Sequence, residues 1–169
     1  MPIIKPDNFN ADYILHNQSI FKMGAENPQL KMTGMTNLSL HQEIEKDKIY
    51  NTIITHSQTL ETENSDLKPA IEELNYIANI SKKINLTRNT SGKISSVDKK
   101  SLTEDWEFWK KNKMQNLIPE EHKQRKFIKK YEAGLHYFEQ GLQNSLSHTL
   151  LLPQIYNALY QHNTYQKPT

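Results

Sequence analysis

Glu132, His136 and Glu139 stand at i, i+4 and i+7 in a stretch with helical periodicity, so a helix there would carry two carboxylates and an imidazole on one face. Such a set can ligate a metal ion. A di-iron centre in a helix bundle, however, needs Glu-x-x-His on two helices plus further inward carboxylates; here the spacing is one residue longer and occurs once. The plainer reading is a polar stripe beside an apolar one. His122 lies fourteen residues before His136, about 21 Å along a helix at 1.5 Å per residue, too far to share an ion. Glu104, Asp105 and Glu107 flank Trp106 and Trp109, and a carboxylate beside an indole can have the raised pKa of a general acid. Glu104 is better explained as a helix cap, and the other two as the solvated side of the same helix. Ser91-Gly92-Lys93 has the letters of a phosphate loop without its length or its second glycine, and reads as a hairpin turn. Walker-type loops, dinucleotide fingerprints, nucleophile elbows, zincin His pairs and EF-hand loops are absent. No catalytic residue, metal or cofactor is assigned.

The other chemistry the sequence offers is charge. Lys110, Lys111, Lys113, Lys123, Arg125, Lys126, Lys129 and Lys130 fall between positions 110 and 130 against Glu120 and Glu121 only, a net +6 in a chain whose total is +2. This stretch could face nucleic acid or an acidic protein surface, or be the solvated face of a helix. The scarcity of Arg, with Arg88 and Arg125 alone, weighs against bidentate phosphate or base recognition.

The elements that would position these residues follow from patterning. Residues 1–30 hold three of the seven prolines, Pro2, Pro6 and Pro28, and read as an extended N-terminal arm with one short element around 11 to 23. Laid on a partner or on its own body, that arm would bury Tyr13 and Phe21, with Phe9 and Ile14. Period-two alternation through Leu38, Leu40 and Ile44, then Ile49 and Ile53, across the charged Glu45-Lys46-Asp47-Lys48, predicts an antiparallel hairpin; helix over 38–48 is the alternative. After an acidic connector at 61–66, Ser65 or Asp66 caps a helix with Pro69 in its first turn, striped by Ile71, Leu74 and Ile77 and ending near Ser81. Residues 84–88 and 94–97 flank Gly92 as a second hairpin. Ser101-Leu-Thr-Glu104 is a capping box that opens a helix burying Leu102, Trp106 and Trp109. Past Leu117-Ile118-Pro119 the longest helix runs from Pro119 to Leu146, striped by Ile128, Tyr131, Leu135, Phe138 and Leu142, with Gly134 and Gly141 admitting a close neighbour. A last short helix holds Ile155, Tyr156, Leu159 and Tyr160.

The fold class is therefore α+β: two short antiparallel hairpins followed by a mainly helical C-terminal half. Residues 31–162 form one domain and 163–169 a polar tail. The 169 residues contain no cysteine, and 36% are apolar; adding glycine brings that to about 39%, below the roughly 45–50% usual for globular chains. The longest apolar runs, such as Leu150-Leu151-Leu152, are three residues, far short of the about 20 that a membrane-spanning helix needs. The absence of thiols and of a secretory leader points to the cytoplasm. These features favour a non-enzymatic protein-interaction or assembly module that buries the arm and the C-terminal helices against a protein partner or a second copy. The alternatives are a nucleic-acid-binding protein using 110–130, and an enzyme with a dispersed site.

Overall fold

Alternation of apolar and polar side chains builds a sheet with one wet and one dry face. The computed structural model describes residues 6–21, 30–145 and 151–152. Strands β1 (Phe9–Phe21), β2 (Leu30–Glu45), β3 (Lys48–Thr62), β4 (Lys83–Asn89) and β5 (Ile94–Val97) form one antiparallel sheet whose spatial order is the chain order. Both expected hairpins are present, fused side by side through β3 and β4, and the helical alternative for 38–48 is not taken. Lys46 turns the first hairpin at φ 55° and Gly92 the second at φ 88°, the left-handed conformation that such loops use. The stretch read as an arm with one short element contributes the thirteen-residue β1, paired with β2 from Phe9↔Gln42 to Phe21↔Leu30 without a register break. Its prolines do not interrupt the strand because all three lie outside 9–21.

Leu38, Leu40, Ile53, Leu86 and Ile94 are buried on the dry face, with Phe9, Tyr13, Leu15 and Ile84 half-buried beside them; Leu142, Leu151 and Leu152 pack over this layer. Three polar residues share the same face. Gln42, Asn51 and Arg88 are almost inaccessible, and Arg88 donates to Asn51 Oδ1 at 2.8 Å and to Gln42 Oε1 at 2.6 Å. Asn51 Nδ2 donates to Gln42 Oε1 at 3.1 Å, and Gln42 Nε2 to the Asp7 carbonyl at 2.7 Å. Three strands and the segment entering β1 are tied together by one buried network.

The helices are α1 (Lys68–Ala78), α2 (Lys99–Asn112), α3 (Met114–Leu117), α4 (Glu121–His136) and α5 (Phe138–Gln143). Asn75 of α1 clamps β3, accepting from Leu60 N at 3.0 Å and donating to Leu60 O at 3.1 Å. A second core unites Ile80, Trp106, Trp109, Met114, Ile118 and Phe127. Trp106 stacks on Tyr131 with centroids 4.3 Å apart, and Trp109 on Phe127 at 5.4 Å.

Several local expectations are corrected. The capping side chain is Asn64, within the acidic connector, accepting from Asp66 N and opening a 3₁₀ turn (Ser65–Leu67) that leads into α1; α1 then ends at Ala78 rather than near Ser81. Helix α2 begins at Lys99 because Asp98 Oδ1 accepts from Ser101 N, while the Asp98 N–H is held by Asn85 O; Ser101 lies inside the first turn and does not cap. The expected 119–146 helix is divided at Tyr137 into α4 and α5. Its buried residue is Phe127, with Ile128 only half-buried. A Cβ added at Gly134 or Gly141 would meet nothing within 4 Å, so among the described residues neither glycine admits a close neighbour. The expected helix at 155–160 lies outside the described residues.

Candidate interaction surface

Strand β1 is the outermost strand, hydrogen-bonded on one side only among the described residues. Its inward residues Phe9, Tyr13 and Leu15 join the sheet core, and its outward residues Asn10, Asp12, Ile14 and His16 face solvent, Ile14 with 65% of its surface exposed and Ile20 with 52%. Natural edges are blunted by shortness, proline, lysine or bulges. The opposite edge, β5, is four residues long and carries a bulge against β4 at Ser95. By contrast, β1 contains no Lys, Arg or Pro and no bulge.

The wet face beside this edge is ordered by side-chain bonds. Ser39 Oγ donates to Asp12 Oδ1 at 2.6 Å and meets His56 Nε2 at 2.6 Å, and His41 Nδ1 bonds Asn10 Oδ1. His56 is the extra residue of a bulge, since Leu38 pairs with Thr55 and Asn37 with Ser57. The hydroxyl has one hydrogen, and Asp12 accepts it; the imidazole must then donate its own N–H to Ser39. His56 is thus placed as a donor and not as the base that a serine nucleophile requires. Met35, Tyr50 and Ile54 add exposed apolar area to the sheet.

The basic stretch is distributed over α2 and α4, and half of its eight cations are matched by acids of the same chain. Lys110 Nζ lies 2.6 Å from Glu107 and 3.6 Å from Glu132 and sits 5.3 Å from the Trp106 ring centre; the hydrogen bond to Glu107 is the main reason its pKa is raised. Lys123 pairs with Glu120, Arg125 with Glu121 at 3.2 Å, and Lys130 with Glu73 at 2.8 Å. Lys123 holds the exposed Glu120 carboxyl below its usual range. Lys111, Lys113, Lys126 and Lys129 are exposed and make no ion pair among the described residues. Lys123, Lys126 and Lys130 line a cleft of about 520 Å³ between α1 and α4 together with Glu72, Glu73 and Glu120, so its charges balance. Tyr13 is half-buried in the sheet core, and Phe21 ends β1 opposite Leu30, its side chain outside the described part.

The remaining chemistry has structural explanations. Glu132 accepts from Trp106 Nε1 at 3.2 Å, and the break at Tyr137 puts Glu139 on a different helix from His136. Among the described residues, no three His, Asp or Glu side chains come together to hold a metal ion. Asn89 Oδ1 gathers the Ser91 N–H, Ser91 hydroxyl and Lys93 N–H, making 91–93 a turn. Periodicity does not reveal the Gln42–Asn51–Arg88 network, although Gln42 and Asn51 are polar residues at dry-face positions. Among the described residues no helix is long and apolar enough to cross a membrane. No protein-family model, curated protein or solved structure matches the chain.

Proposed function

We propose that this protein is a non-enzymatic interaction or assembly module whose docking element is the open edge of β1. The single observation that carries this reading is a thirteen-residue strand with one hydrogen-bonding edge unpaired among the described residues and no Lys, Arg, Pro or bulge along it. An extended segment from a partner would satisfy those backbone groups by strand addition, gaining specificity from side chains at alternate positions. The basic stretch carries less, because half of its cations engage acids of the same subunit; nucleic-acid binding through 110–130 remains the alternative. A cytoplasmic setting belongs to the same proposal, supported by a chain without cysteine.

Site-specific photo-crosslinking in the native source tests it. A benzophenone residue in place of the exposed Gln18 of β1 is expected to give a discrete protein adduct that maps to an extended segment. The same group in place of Phe108, exposed on α2, is expected to give none. Absence of any adduct from the β1 position would overturn the reading.

A further inference from the structure

We infer that the segment added to β1 is β1 of a second copy, the two strands running antiparallel about a two-fold axis at Ile14 so that two five-stranded sheets become one of ten. This rests on the strand-addition reading and names its partner.

Antiparallel pairing about a two-fold axis normal to the sheet matches even positions with even and odd with odd, keeping the wet and dry faces continuous. The centres around the middle of the strand differ in what they oppose. An axis at Asp12 would set two carboxylates against each other; an axis at Tyr13 or Leu15 would set exposed Ile14 against Asp12 or His16; an axis at His16 would oppose two imidazoles. The axis at Ile14 pairs Ile14 with itself and each Asp12 with the His16 across from it, and on the dry face each Tyr13 meets Leu15. It covers Ile14, the most exposed large apolar side chain of the sheet among the described residues, and sets each Asp12 carboxylate beside a His16 imidazole able to donate to it, where the axes at Asp12 and His16 oppose like groups. Phe9–Ser19 of each copy would be paired, and Tyr13 and Leu15, already half-buried against the sheet core, would extend that core across the axis. Asp12 is presented for this by its bond from Ser39.

The lack of native cysteine makes the register directly readable. In the full-length protein under mild oxidation, Ile14→Cys is expected to form a disulfide-linked dimer, because the two positions face each other. Ile20→Cys is expected to stay unlinked, because in this register the two copies of that position lie about 40 Å apart at 3.3–3.4 Å per residue. Light scattering on the unmodified protein is expected to show a dimer. Ile14→Lys and His16→Asp are each expected to abolish it with unchanged circular dichroism, and Asp12→His combined with His16→Asp to restore it. A wild-type monomer at every concentration would overturn the inference, as would a dimer that survives Ile14→Lys or links through position 20 and not 14. A heterologous adduct in the photo-crosslinking experiment with a monomeric wild type would overturn the second copy while leaving strand addition standing; no adduct and no dimer would overturn both.

Discussion

Arg88 shows how a single side chain organises its surroundings. A fully buried guanidinium is tolerated because its donors are met by Asn51, Gln42 and the Gly92 carbonyl. Arg88→Ala would leave the amide oxygens of Gln42 and Asn51 short of donors and open a cavity, at a cost of about 3–5 kcal/mol, measurable by urea unfolding. Tyr76 is a second case. Its hydroxyl donates to Glu72 Oε1 at 2.6 Å, and that bond, then burial, then the carboxylate charge, push its pKa from 10 to about 12. A folded-state value above the unfolded one means that the stabilisation is whole below pH 10 and is lost as pH rises toward 12. Phenolate absorbance in the folded protein is expected to develop toward pH 12, and Glu72→Gln to bring it back toward pH 10.

Element boundaries turn on caps and glycines. Asp98 and Ser101 make competing claims to the start of α2, and they are separable by experiment: Asp98→Ala is expected to cost about 1 kcal/mol and Ser101→Ala much less, read by thermal or urea denaturation. The Asp98 side chain wins because its backbone N–H is already fixed by β4 through Asn85 O, so the carboxylate is delivered to the helix start by the end of β5. Gly134 sits within α4 with open space where a Cβ would be. Gly134→Ala is therefore expected to stabilise the protein by up to about 1 kcal/mol, raising the urea midpoint. The opposite holds for Gly34 in β2, where an added Cβ would lie 2.2 Å from Asn17 Oδ1 on β1.

At the scale of the molecule, two cores share one chain, the dry face of the sheet and an aromatic cluster among α1, α2, α3 and α4. The sheet's wet face and the β1 edge are left open among the described residues. If that edge joins two copies, the folded state is linked to association. The melting temperature is then expected to rise with protein concentration, and Ile14→Lys to remove that dependence; calorimetry over a concentration series checks both.

Residue order alone dictates the α+β class, both hairpin turns and the burial of Leu102, Trp106 and Trp109, because periodicity of two or between three and four sets which face of an element can leave water. It also nominated Tyr13 and the basic stretch. Tertiary structure alone decided that 9–21 is an edge strand, since thirteen residues with modest alternation become a strand only when β2 supplies the matching hydrogen bonds. It alone placed Gln42, Asn51 and Arg88 together, 46 positions apart at the extremes, and matched Lys110 and Lys130 with Glu132 and Glu73 from other helices. Such pairings depend on which surfaces meet after folding. Local spacing carries no record of them, and that is why the open edge was legible only once its neighbours were known.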